Sequence, residues 1–233
     1  MDYHRPLNES EDNPKVHVAL LLVPGKHKGP KKFSASPMLL NPGGPGGSGV
    51  GIALALGQRI HALVGEDQDV IGFDPRGIGA TTPRTDCFSY PIGWPNAPQT
   101  GDTTTGAGED YAKGNFNRLL WLTAGRAIGN VNSSSGSWQA LDGRAKGNSK
   151  LCQAKDNIMG KDSIFRYVNT PNVVRDMVSI VDAWDEWTES ESCPMAKAKE
   201  AEKDMFDETE NGPSTKGKLV YWGFSYGVSS LLV

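Results

Sequence analysis

Long apolar runs are missing from this chain: nowhere in its 233 residues is there a stretch approaching the roughly 20 apolar positions of a membrane span. The opening Met1-Asp2-Tyr3-His4-Arg5-Pro6 has no apolar core, so no secretion signal is visible in it. Strong charge is missing too. A net charge of −3 leaves no electrostatic footprint for nucleic acid or an anionic membrane, and neither is expected as a partner. Cysteine is scarce, and the three present (Cys87, Cys152, Cys193) lack metal-site spacing, so no metal is expected. They are either buried or surface thiols, or two of them form a disulfide, which an exported protein would favour. The sequons at Asn8-Glu9-Ser10 and Asn132-Ser133-Ser134 lean slightly toward export. Internal repeats are absent.

What is present alternates between short apolar strands and helical patterns. Val16–Val23 reads as a strand stopped by Pro24-Gly25, and Pro37–Leu40 as a short buried strand. From Val50 to about Val64, Ile52, Leu56, Ile60 and Leu63 recur at helical spacing. Asp69–Phe73 is another strand. From Ala80 to about Asn169 the pattern weakens into Thr, Gly, Pro and Ser, which predicts an insertion with small helices of its own. Thr170-Pro171 supplies an N-cap and a first-turn proline for a helix running to about Trp187, with Val173, Val174, Met177, Val178, Val181 and Trp184 as its stripe. Glu186 to Gly217 is charged and loop-like, with an exposed helix at Met195–Phe206. Lys218–Trp222 is the last strand. Such alternation predicts a mostly parallel α/β sheet.

Gly223-Phe224-Ser225-Tyr226-Gly227 follows that last strand and precedes a second apolar run. A G-x-S-x-G in this position is a nucleophile elbow: the turn is too tight for flanking side chains, and it presents the serine hydroxyl. Ser225 is therefore the candidate nucleophile, and the N–H of Tyr226 a candidate oxyanion donor. A second donor comes from a loop after an earlier strand, and Asn41–Gly49, with five glycines in nine residues, has that place. A nucleotide site is its rival, but the loop lacks both the Gly-Lys-Ser/Thr end of a P-loop and the G-x-G-x-x-G spacing. No cofactor is expected.

Asp74-Pro75-Arg76-Gly77 ends the strand between these motifs. Asp74 is either a catalytic acid or, with Arg76, a fixer of the turn through charge-assisted hydrogen bonds. The second role is favoured, because the acid of such an enzyme follows its serine. Asp176 and Asp182 are expected to be solvated or capping. His4, His17, His27 and His61 all precede Ser225, against the expected order of serine, acid, histidine, and are expected to be structural or solvated.

Leu39-Leu40-Asn41-Pro42-Gly43-Gly44-Pro45-Gly46-Gly47-Ser48-Gly49, Gly72-Phe73-Asp74-Pro75-Arg76-Gly77-Ile78-Gly79 and the elbow, in this order, resemble the tripeptidyl-aminopeptidase-like branch of the α/β-hydrolases, relatives of proline iminopeptidase. The likeness spans roughly Asp2 to Val233 as the N-terminal portion of one domain, residues 1–233, with insertions at about 81–169 and 186–217. It implies a mostly parallel sheet with helices on both faces, cut off after the elbow. It also implies Ser225 as nucleophile, with oxyanion donors at Tyr226 and at Gly43 or Gly44. The activity implied is release of residues or short peptides from a free N-terminus. A Cys87–Cys152 disulfide and a secreted or lumenal location would fit the branch. Members of the branch run on into further strands, a lid, the acid and the histidine. This chain alone is therefore expected to be inactive, with the missing C-terminal half as its partner if that is made separately. A carboxylesterase-like enzyme acting on a small ester, and a binding-only remnant, are the alternatives.

Overall fold

Four short strands alternate their side chains between two apolar layers, and this alternation sets the architecture. In the computed structural model, which describes residues 14–26, 33–89, 111–190 and 215–231, the strands are β1 (Leu20–Val23), β2 (Met38–Asn41), β3 (Val70–Phe73) and β4 (Val220–Gly223). They form one sheet in the order β1-β3-β2-β4. β2 is parallel to both neighbours and β1 is antiparallel to β3, so the sheet is mixed with a parallel centre. Leu39, Ile71 and Phe73 point to one face, where Val173, Met177, Ile180, Val181 and Trp184 of α4 (Thr170–Glu189) cover them. Met38, Leu40 and Val70 point to the other, against Ala53 and Ile60 of α1 (Gly49–Val64). Helices therefore lie on both faces, as an α/β fold of the hydrolase type requires.

α1 differs from its expected stripe. Leu56 and Leu63 are exposed, and the buried residues are Gly49, Ala53, Gly57, Ile60 and His61. The small residues let the helix axis approach the strand. A Cβ on Gly49 would lie 2.0 Å from the Phe73 carbonyl oxygen, and one on Gly72 would lie 2.1 Å from the Gly49 oxygen. Ile60 is buried and Ile52 packs against the core as expected, but apolar periodicity weighs Leu above Gly and so added Leu56 and Leu63 in place of Gly49, Ala53 and Gly57.

β1 is shorter than the Val16–Val23 expected from sequence, with His17 outside it in an isolated bridge to Thr82. α4 begins one residue earlier than expected: Asn169 is the N-cap, its side chain accepting from the Asn172 N–H, and Pro171 sits in the first turn. Val178 is exposed, and Ile180 takes its place in the core. The helix foreseen at Met195–Phe206, His4, His27, Cys193 and the Asn8 sequon lie outside the described residues. Among those described, no helix is long and apolar enough to cross a membrane.

The chain divides into two compact units, Met1–Arg84 with Tyr167–Val233, and Thr85–Arg166. The second corresponds to most of the expected insertion, but its helices are not small: α2 spans Tyr111–Ile128 and α3 spans Ser137–Met159. Gly, Asn and Ser along both helices blur the period that would have revealed them. Within this unit residues 86–89 are fastened to α3 twice. Cys87 is bridged to Cys152, closing 65 residues of sequence, which in the chain-entropy account stabilises by about 4 kcal/mol. One turn further on, buried Lys155 donates to the Asp86 carbonyl at 2.5 Å and to the Ser89 hydroxyl at 3.0 Å. Trp121 of α2 packs on Phe88 and lies under the Arg144 guanidinium of α3. Hydrogen bonds from Arg166 hold the Asp156 carboxyl below the usual carboxylate range. That contact therefore contributes above the unfolded-state pKa and is lost as pH falls through the folded one.

Candidate active site

The parallel strands β2, β3 and β4 end on the same side of the sheet, where ligands of open α/β sheets bind. β2 is followed by the glycine loop Pro42–Ser48, β3 by the Asp74–Gly79 turn, and β4 by the Ser225 turn. Asn41 and Gly223 are direct register partners, so the glycine loop and the serine turn leave the sheet side by side.

Ser225 has φ = +52°, the sole positive value for a non-glycine among the described residues. An L-residue pays roughly 1–2 kcal/mol for such a backbone angle. Its side chain is exposed, and among the described residues no hydrogen bond reaches it. The turn is closed by the Gly227 N–H donating to the Phe224 carbonyl at 2.8 Å, and anchored by the Tyr221 hydroxyl donating to the Gly227 carbonyl at 2.7 Å. Both flanking glycines are required: a Cβ on Gly223 would meet the Gly227 carbonyl carbon at 2.8 Å, and one on Gly227 the Asn41 oxygen at 2.8 Å. The second apolar run, after the serine, is a 3-10 helix, Ser225–Leu231. The Tyr226 side chain reaches the Thr170 hydroxyl at the start of α4, oxygen to oxygen 3.1 Å.

Asn41 joins the two loops. Its carbonyl accepts from the Phe224 N–H at 2.9 Å, and its buried side-chain oxygen accepts from the Gly43 N–H at 2.9 Å. Of the two loop donors expected from sequence, the Gly43 N–H is thus already engaged, which leaves that of Gly44. Sequence reasoning did not single out Asn41. The Asn-Pro pair before the glycines was the available signal, since an Asn side chain readily accepts from the backbone two residues on.

Gly43 has φ = +82°, and a Cβ there would lie 2.2 Å from the Phe224 oxygen and 2.9 Å from the Tyr226 nitrogen. Gly43→Ala is therefore expected to push the loop off the elbow. Measured as kcat in a preparation that turns over, the loss should be about 10²–10³-fold, the scale of a misplaced oxyanion donor.

Asp74 is buried and fully committed to structure. It accepts from the Ser48 hydroxyl at 2.6 Å, the Val50 N–H at 3.1 Å and the Ala80 N–H at 2.8 Å, tying β3 to the start of α1. Arg76 is buried as well, but its partner is not in the turn. Its Nε and a terminal nitrogen hold both carboxylate oxygens of Asp176 at 2.7 and 2.5 Å. Asp176 is accordingly neither solvated nor capping, because a carboxylate on the buried stripe of α4 is tolerable once a guanidinium neutralises it. Asp182 is exposed as expected. His17 is exposed, and His61 is buried in α1 with no partner for its Nε2. Among the described residues, no group of His, Cys, Asp or Glu could hold a metal ion.

A serine in a strained, glycine-flanked turn after a parallel strand, beside a glycine loop from the adjacent strand, has the geometry of a nucleophile elbow of the α/β-hydrolase type. The chain is similar to proteins bearing such names. It is 38% identical over 89 residues to serine protease Hip1 of Mycobacterium tuberculosis, and the match covers 38% of this chain and 15% of that protein. It is 34% identical over 88 residues to carboxylesterase B of the same species and to putative hydrolase Mb2247c of Mycobacterium bovis, covering 37% of this chain and 15% of each. The matches thus span well under a quarter of the relatives' length. No protein-family model matches the chain.

Proposed function

We propose that this chain carries the nucleophile and oxyanion hole of a serine peptidase that cleaves near a free N-terminus through an acyl-enzyme on Ser225. The observation that carries the proposal is the positive φ of Ser225, strain that a purely structural serine has no reason to bear. In the proposed step, the Ser225 hydroxyl attacks the substrate carbonyl while a base takes its proton. The N–H groups of Tyr226 and Gly44 stabilise the oxyanion, the amine leaves, and water releases the acyl group. Neither described histidine bonds to Ser225, so in this reading the base and its acid lie outside the described residues. The Cys87–Cys152 bridge supports an oxidising, extracytoplasmic setting.

An ester substrate is the second reading, favoured by the likeness to carboxylesterase B. The elbow serves amides and esters alike. Steady-state turnover of an unblocked aminoacyl anilide against a p-nitrophenyl ester, with a preparation containing the base and acid, separates them. Ester hydrolysis with no cleavage of unblocked peptides would sink the peptidase reading.

A further inference from the structure

In the loop that joins α2 to α3, every residue from Gly129 to Gly136 is exposed. Asn130 and Ser133 close its first turn. The Ser133 N–H donates to the Asn130 carbonyl at 3.0 Å, and the Asn130 N–H donates to the Ser133 hydroxyl at 2.7 Å. At the far end the Ser134 and Ser137 hydroxyls, 2.8 Å apart, fasten the loop to the start of α3.

Asn132 takes no part in this bonding. An asparagine commonly serves a turn in one of two ways, by accepting from the backbone with its side chain or by adopting a positive φ. Asn132 does neither: among the described residues no hydrogen bond reaches its carboxamide, and its φ is not positive. An idle, exposed carboxamide is thus followed two residues on by an exposed serine hydroxyl. Asn132-Ser133-Ser134 is one of two N-glycosylation sequons in the chain, and the other, at Asn8, lies outside the described residues. The helix that the loop enters carries Cys152, bridged to Cys87. Disulfides persist on the exported side of a membrane, where N-glycosylated surface loops are also found.

We infer that Asn132 is an N-glycosylation site. The inference rests on the extracytoplasmic setting proposed above and is independent of Ser225 and of any hydrolytic activity. The donor is an oligosaccharide carried on a polyprenyl diphosphate. The Asn132 carboxamide nitrogen bonds to the anomeric carbon of the sugar and gives up one proton. The bond from that carbon to the diphosphate oxygen breaks, and the polyprenyl diphosphate leaves with the electron pair. The product sets a bulky, hydrated group beside Val131, an apolar residue that is 56% exposed.

The test is peptide mapping of the protein recovered from its own source, after treatment with peptide N-glycosidase F in heavy-oxygen water. Alkylation of cysteines without reductant is the parallel readout. Enzymatic release is expected to leave a heavy-oxygen aspartate at position 132, with Cys87 and Cys152 unreactive. Asn132→Gln and Ser134→Ala should each remove the glycan from this loop, and Ser134→Thr, which keeps the hydroxyl, should retain it. Both positions are exposed, and unchanged thermal melts will show that the variants fold. Unreactive thiols with no glycan at position 132 overturn the modification and leave the setting standing. Reactive Cys87 and Cys152 overturn the setting and the inference with it. A glycan confined to Asn8, or one that Ser134→Ala leaves on Asn132, also overturns the assignment.

Discussion

Ser225→Ala will leave the fold in place and remove hydrolysis, by about 10⁶-fold in kcat wherever the base and acid are present, the loss seen when a triad serine is deleted. Covalent labelling by a fluorophosphonate probe should vanish in parallel. The residual rate would reflect the Tyr226 and Gly44 donors alone. A companion variant separates the chemistry from the backbone. Since residue 225 sits at φ = +52°, Ser225→Gly relieves a strain that Ser225→Ala retains. The glycine variant should be more stable than the alanine one by roughly 1 kcal/mol, although both are inactive. Retained labelling in Ser225→Ala would move the nucleophile elsewhere, and equal melting of the two variants would contradict the backbone geometry.

Asp176→Ala will unfold the first unit at a much lower urea concentration. Arg76 and Asp176 are each about 3% exposed and share two hydrogen bonds, so removing the carboxylate strands a guanidinium in the core. The cost is about 3–5 kcal/mol, large beside a whole-domain stability of about 5–15 kcal/mol. Most of that cost is the orphaned charge rather than the lost attraction. Arg76→Met with Asp176→Leu should therefore recover much of the urea midpoint. A double variant as unstable as Asp176→Ala would mean that the pair fixes the turn after β3 in a way packing cannot replace.

The elbow, the glycine loop and the strands that carry them were readable in the sequence because each depends on local chemistry. Glycine permits a turn, and a short apolar run marks a buried strand. The pairing of Arg76 with Asp176 was not readable. One hundred residues separate them, and nothing local distinguishes a buried aspartate on a helix from a solvated one. Part of the buried face of α1 was hidden for a related reason. Gly49, Ala53 and Gly57 matter through what they leave out, and periodicity counts only what is there. α2 and α3 were underestimated because their polar, glycine-bearing sequences form helices only with tertiary support, here residues 86–89 with their disulfide and buried lysine.

The pairing of Asn41 with Gly223 makes the sheet a ruler. The glycine loop hangs from the end of β2 and the serine from the end of β4, and a bond from Phe224 to Asn41 sets the spacing between them. Slipping one strand by a residue would displace the Ser225 turn from the glycine loop by about 3.3 Å, a full hydrogen-bond length. The same slip would turn Tyr221 and Trp222 to the wrong layers, so the apolar cores penalise it heavily. The alignment of the serine turn with the glycine loop is thus enforced by the oily layers beneath, and a chain that has sorted its side chains correctly between them has already set Ser225 beside that loop.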